Sequence, residues 1–381
     1  MRAHPLAVLA GRAARREGQA RMFFLWLVVV FVLGIWAGSV INYCFYRLPL
    51  EKSLFWPGPR CAHCLRPIRW YDNMPLLSYA LLRGRCRSCG GRISLRHPVV
   101  ELLTGLLFVG LFYAEIGHNV LGLPYLQMHR ADIAAGNIPA VAWAVFGCHA
   151  VLASFLLLTS LCDLDDMAIP LPITLTGTLV GLACSVLFPW PFPDAGQALP
   201  PVSGFVPPRL PTGLYPWPVW YPLPSWLPRG SPQLGLATGL AGTLAGMMVI
   251  RLVRFTYGMA RGIEGLGVGD ADLMMMAGAF VGWQPIVLAC FVAAFPGLLF
   301  GIAQLLRHGN QPLPFGPSLA LGVVLTLWLW PLLGDSEALR LVFFDPGFLG
   351  SIVGSGVAFL LLAGLLFRFL LGTPPKAESR P

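Results

Sequence analysis

Apolar residues in this chain come in long continuous runs, not in the two-residue alternation of a half-buried strand. The runs near 22–43, 99–117, 139–162, 168–189, 234–254, 270–283, 286–306, 315–333 and 348–371 are each candidate membrane-spanning helices. A crossing takes about 20 residues. Asp272 to Leu306 is too long for one crossing, and Trp283-Gln284-Pro285 interrupts it. Proline breaks or kinks a helix, so two helices joined by a tight turn are expected. Residues 44–98 are polar, and 190–233 are rich in Pro and Trp. Proline excludes a spanning helix there, which predicts an outer-face loop of polyproline character with its tryptophans at the interface.

Composition sharpens this picture. The chain is 56% hydrophobic and 11% charged, against about 25% charged in soluble domains. In lipid every backbone polar group must be satisfied internally, so spans are helices or closed barrels, and continuous apolar runs choose helices. The expectation is an all-α polytopic membrane protein of about eight to nine transmembrane helices. Its parts are a basic tail (1–21), a first span (22–43), a polar loop domain (44–98), a multi-helix membrane domain (99–371) and a short tail (372–381). The apolar run after the basic N-terminus is read as a span and not as a cleaved signal, because no small-residue cleavage site follows it.

The net charge of +9 would suggest nucleic acid in a soluble protein. Here it reads as the cation bias of cytoplasmic loops, and no nucleic-acid partner is expected. The 44–98 loop carries ten Lys/Arg against Glu51 and Asp72. If it is cytoplasmic, so are the loops near 163–168, 255–269 and 307–314 and the tail after 371. Arg251, Arg254, Arg261, Arg307, Arg368, Lys376 and Arg380 lie on or near that side. Nine spans with the N-terminus outside fit best, although the five arginines of 1–21 then sit on the opposite face.

Nine cysteines divide into two groups. Cys44, Cys148, Cys162, Cys184 and Cys290 lie singly in or beside apolar runs, as small packing hydrophobes do. Cys61-Ala-His-Cys64 and Cys86-Arg-Ser-Cys89 form two C-x2-C pairs. Four thiolates at this spacing suit tetrahedral zinc, in a compartment that disfavours disulfides. Four protein ligands leave no open position, so the zinc is structural. His63 and His97 are surplus to this set.

Two carboxylates stand at the ends of apolar runs. Asp163 ends SFLLLTSLC, and Asp270 follows Gly265-Leu266-Gly267-Val268-Gly269. A charge at membrane depth is costly and marks function, and glycines allow close approach of backbone and substrate. Two such acids are the minimum set for an aspartyl protease, one protonated and one ionised. The simpler reading of Asp270 is a helix N-cap. Asp165 and Asp166 also read as caps, yet together with Glu264 and Asp272 they would form an acidic collar that steers basic substrates toward the pair.

These motifs together resemble the type IV prepilin peptidase (leader peptidase) family over most of the chain. GSVINYCFYRLP, the four-cysteine segment through LRHPVVELLTG, CDLDDMAIP with Asp163 and Pro170, EGLGVGDADLMMMAGAFVGW, and LPFGPSLALG carry the resemblance in order. Residues 1–21, 190–233 and the last span match poorly. Leu171 stands where the family usually has Asp, and Asp272 where it usually has Lys.

The resemblance implies a bifunctional enzyme of the bacterial inner membrane. It would cut the basic leader of prepilins or pseudopilins after a glycine on the cytoplasmic face, with Asp163 and Asp270 catalytic. It would then methylate the new N-terminus with S-adenosylmethionine. No glycine-rich nucleotide fingerprint marks the methyl-donor site; Glu101, Asp72 and Asn73 are the loop-side residues placed to face it. Three other classes stay open: a peptidase without methyl transfer, a proton- or cation-coupled transporter, and a zinc-bearing scaffold. Carboxylates at helix ends and not mid-membrane count against the transporter, and the scaffold leaves the paired aspartates unexplained.

Overall fold

The computed structural model describes residues 5–50, 52–53, 58–166, 168–187, 226–227, 231–262, 267–308, 314–334, 336, 339, 342–343 and 346–371. The Pro/Trp-rich loop expected at 190–233 lies almost wholly outside these, as do Glu264 and the side chain of Asp166. Ten long helices occur among the described residues. They are α1 (Pro5–Arg47), α2 (Arg96–Phe112), α3 (Ala140–Asp166), α4 (Leu171–Leu187), α5 (Pro232–Arg261), α6 (Val268–Val281), α7 (Trp283–Val292), α8 (Ala294–His308), α9 (Gly316–Gly334) and α10 (Pro346–Leu371). Seven helical stretches are long and apolar enough to cross a membrane; Leu171–Leu187 is apolar but shorter. The chain is a multi-pass, all-α membrane protein with no strand among the described residues. It divides into two compact units, Met1–Ser154 and Phe155–Pro381.

Three boundaries differ from the periodicity. Helix α1 begins at Pro5, so the basic tail from there on is helical and continues into the span. The break expected at Trp283–Pro285 falls at Gly282, whose φ of 82° suits glycine, while Pro285 sits in the first turn of α7. There it removes no helical hydrogen bond. The run 286–306 is divided again, into α7 and α8, between Val292 and Ala294.

In the first unit α1 and α2 meet along a glycine seam. A Cβ on Gly34 would lie 2.8 Å from Gly105 Cα, and one on Gly38 would lie 2.6 Å from Glu101 Cα. Small residues permit this approach in lipid, where apolar burial alone does not drive helices together. Phe112, Trp143 and Phe146 form an aromatic cluster beside it, with Phe112–Phe146 centroids 5.2 Å apart. Helix α2 ends in a π-turn, Tyr113–Gly117, whose buried Glu115 meets His149 Nδ1 at 2.9 Å.

In the second unit α6 is the central element. From Asp270 to Val281 every residue but Met275 is buried. Its neighbours approach through glycines: Gly242 of α5 meets Gly278 backbone to backbone, and Gly177 of α4 accommodates Met276. Ser185 donates to the Ala279 carbonyl at 2.5 Å. A helix buried all round must be apolar all round, and a carboxylate in its first turn is therefore conspicuous.

Candidate active site and metal centre

Asp163 and Asp270 lie in the same unit, each only 6% exposed. Asp163 occupies the last turn of α3, and Asp270 the first turn of α6. The charge of Asp163 is felt at Asp270. Their helix ends are brought together by the α3–α4 connection. Ile169 of that connection is buried and packs against Gly269, where a Cβ would stand 2.9 Å from Ile169 Cβ.

Each carboxylate accepts a backbone N–H. Gly316 donates to Asp163 Oδ2 at 2.7 Å, and Gly267 donates to Asp270 Oδ2 at 3.1 Å. Gly267 is the N-cap of α6 and Asp270 is its third residue, so Asp270 is not the N-cap itself. The contact is half of a capping box, because glycine has no side chain to return it. Gly316 is the first residue of α9. Both acids thus face helix N-termini, where the partial positive charge favours an anion. Gly316 is a site residue that the sequence reasoning did not single out; its only signal was the Pro-Phe-Gly-Pro element itself.

The four collar residues do not share one environment. Asp165 is exposed on the last turn of α3, whereas Asp272 is 9% exposed and feels Arg251 of α5. Glu264 and the Asp166 side chain fall outside the described residues.

In the first unit Cys61, Cys64, Cys86 and Cys89 place their sulfurs within 4.8 Å of one another. Cys61 and Cys89 are 3.9 Å apart. Zinc–sulfur bonds of about 2.3 Å give a tetrahedral edge of about 3.8 Å, so the donor set fits zinc. No disulfide joins them.

The two pairs are built alike. Cys61 N–H donates to Arg66 O and Leu65 N–H to Cys61 O; Cys86 N–H donates to Gly91 O and Gly90 N–H to Cys86 O. Each turn is closed by a bridge, Arg60 with Pro67 and Arg85 with Arg92. The fifth residue of each turn is left-handed: Gly90 at φ 69°, and Leu65 at φ 56°.

Backbone hydrogen bonds from Cys89 and Ser88, with a further one from Cys61, push the Cys86 thiol down to about 6. Gly91 N–H draws Cys89 down, but burial and the neighbouring thiols outweigh it and push it up to about 11. A cluster that holds both thiolate and thiol releases protons on taking a metal. His63 is exposed, with Nε2 3.1 Å from Arg92 O, and neither it nor His97 joins the cluster. Arg87 grips Asp72 through two nitrogens, 2.7 Å at the closest, and this holds the Asp72 carboxyl below its ordinary range.

Two family models match the chain in sequence order, and Asp163 lies between the two matched stretches. Residues 32–115, with all four cysteines, match a family model described as the bacterial peptidase A24 N-terminal domain. Residues 210–302, with Asp270, match the model of the type IV leader peptidase family. A protein of Myxococcus xanthus named prepilin leader peptidase/N-methyltransferase is 30% identical over 286 residues, 75% of this chain and 65% of the relative. Proteins of the same name from Aeromonas hydrophila and Dickeya chrysanthemi are 27% and 29% identical. They are matched over 82% and 80% of this chain and 92% and 93% of their own length. This chain therefore spans about two thirds of the Myxococcus relative and nearly all of the other two. No solved structure matches. With the N-terminal domain and the peptidase domain both matched in sequence order, this chain belongs to the type IV leader peptidase family.

Proposed function

We propose that this protein is a prepilin peptidase and N-methyltransferase. It removes the basic leader of a prepilin or pseudopilin after a glycine, on the cytoplasmic face of the bacterial inner membrane, and then methylates the new N-terminal amine. The observation that carries the reading is the Asp163–Asp270 pair. Two buried carboxylates stand at the ends of different helices, the charge of one is felt at the other, and each accepts one glycine N–H. The names of the relatives point the same way.

The pair acts as one unit. Close carboxylates share a proton, because both cannot ionise together. The ionised member takes a proton from water as it attacks the scissile carbonyl. The protonated member polarises that carbonyl and then gives its proton to the leaving amine. Gly316 and Gly267 each engage the Oδ2 of one carboxylate, and the Oδ1 atoms are the ones that would meet water and substrate. The glycine turn before Asp270 admits an extended substrate backbone without side-chain collision.

Cys61, Cys64, Cys86 and Cys89 would hold zinc as a structural ion, because all four positions are protein-filled. S-adenosylmethionine supplies the methyl group when bound. Of the acids expected to steer a basic leader toward the pair, Asp165, Asp166, Glu264 and Asp272, exposed Asp165 is placed to act on a mobile charge, whereas Asp272 is buried. The test is cleavage of a prepilin-like substrate in membranes by the wild type, Asp163→Ala and Asp270→Ala. Both variants should insert and accumulate yet fail to cut. Near-normal turnover by either would remove the dyad from the mechanism.

A further inference from the structure

Among the described residues of the first unit two acids are buried, and they differ in one respect. Glu115 faces His149, whereas Glu101, 8% exposed, has no cation or imidazole against it. Its partners are the Leu76 N–H, 2.8 Å from Oε2, and the Ser39 hydroxyl. These leave part of the acceptor capacity of a carboxylate unused, since it offers about four lone-pair sites. A buried carboxylate without a counter-charge is expensive.

The surroundings enforce this burial. Gly38 lets α1 close onto Glu101, where any larger side chain would collide. Leu76 follows Pro75 and lies between the two cysteine pairs, with φ 57° and ψ −46°, a conformation that L side chains rarely adopt. Strain of this kind persists where the surroundings over-determine it and clusters at functional sites. Glu101 is thus held at the junction of α2 and the cysteine-bearing segment, with its charge unanswered.

We propose that Glu101 binds a primary ammonium group of a methyl-transfer reactant; where that group is the pilin N-terminus, the carboxylate takes its proton before the free amine attacks the methyl carbon and S-adenosylhomocysteine leaves. The proposal rests on the methyltransferase reading. Both reactants of that step carry such a group: the new N-terminus of the processed pilin, and the amino-acid portion of the methyl donor. An ammonium brings the missing charge and up to three donors to the free acceptor positions. The competing role is mechanical, with Glu101 only anchoring the strained turn at Leu76.

The experiment uses the full chain in nanodiscs, with Glu101→Gln, Leu76→Gly and the double variant. Glutamine keeps an acceptor for Leu76 N–H and loses the charge. The probes are S-adenosylhomocysteine and a processed-pilin peptide with a free or an acetylated N-terminus, read by calorimetry. Zinc content and melting temperature monitor the fold. Glu101→Gln should weaken one probe by about tenfold to hundredfold, the worth of a charge-assisted hydrogen bond. Weakened S-adenosylhomocysteine assigns the site to the donor. Weakened free-amine peptide, with the acetylated peptide unchanged, assigns it to the pilin.

Wild-type affinity for both probes overturns the proposal. If Glu101→Gln unfolds, the double variant decides, because glycine takes the Leu76 conformation without strain. Recovered binding there means that Glu101 is only an anchor, and continued loss upholds the ammonium site. A wild-type enzyme that cuts but transfers no methyl group overturns the methyltransferase reading instead.

Discussion

The backbone N–H of Gly316 donates to Asp163 Oδ2 at 2.7 Å, so the first residue of α9 clamps the carboxylate that closes α3. A side chain at 316 would collide with the group it serves: its Cβ would lie 2.6 Å from Oδ2 and 3.1 Å from Asp163 Cβ. Gly316→Ala must therefore displace Asp163. A displacement of about 1 Å in a reacting group costs on the order of 10²-fold in rate. We expect kcat for prepilin cleavage to fall by about that factor while the protein still inserts and keeps its metal. Unchanged kcat in purified Gly316→Ala would mean that Asp163 does not need this clamp.

Asp163→Asn and Asp270→Asn should each reduce cleavage by about 10³-fold or more. The double variant should be scarcely worse than either single one, because groups that act as a unit are grossly non-additive. Single-turnover cleavage of one substrate by the three variants measures this. Additive losses would indicate two independent roles. Asparagine keeps an acceptor for the Gly316 or Gly267 N–H, so melting temperatures should change little.

How much of this was legible before the structure depends on the kind of signal. Asp163 and Asp270 stood out because a charge ending an apolar run is conspicuous. The cysteine pairs stood out because ligand spacing is local. The Gly316–Asp163 bond joins residues 153 positions apart, and no periodicity encodes it. The helix break was expected at a proline and fell on Gly282, because proline is tolerated in a first turn while φ 82° needs glycine. Asp272 resembled its acidic neighbours in sequence. Only the packing of α5 against α6 reveals its burial and its interaction with Arg251.

The cysteine turns make a graded prediction. Gly90 and Leu65 occupy equivalent left-handed positions, but Leu65 pays a steric penalty there of about 1–2 kcal/mol. Its side chain is 67% exposed and contributes little burial in return. Leu65→Gly should raise zinc affinity slightly, by a few-fold, while Gly90→Leu should lower it by about tenfold. Competition with a chromophoric chelator gives both values. Shifts of zinc affinity in the same direction by the two substitutions would break the equivalence of the turns.

Acid should release the metal through the thiolates and not through the Asp72–Arg87 pair. Arg87 holds Asp72 below the ordinary carboxylate range. The sign follows from that depression: the pair's contribution is present above about pH 4, the unfolded carboxylate value, and is lost only as pH falls through the lower folded value. The ligating sulfurs must be deprotonated, so zinc affinity falls from neutral pH downward. Zinc content against pH should therefore show release at a pH well above 4, with the same midpoint in the wild type and Asp72→Asn. A midpoint that moves in Asp72→Asn would make the ion pair the acid-sensitive element.

The acidic collar offers the last prediction, and burial divides its members. Asp165 is exposed, while Asp272 is nearly buried and faces Arg251. Steering of a mobile basic leader acts through exposed charge, and salt screens it beyond about 10 Å at 0.1 M. Asp165→Asn should therefore raise KM for a basic leader and flatten the dependence of kcat/KM on salt, with kcat nearly unchanged. Asp272 is buried in α6 and feels exposed Arg251 only through space, so the effect of Asp272→Asn should appear in melting temperature before it appears in salt dependence. Cleavage of leaders of graded charge, from 0.05 to 0.5 M salt, separates the two. If Asp165→Asn keeps the wild-type KM and salt response, Asp165 only finishes its helix, and the leader is guided by some other acid.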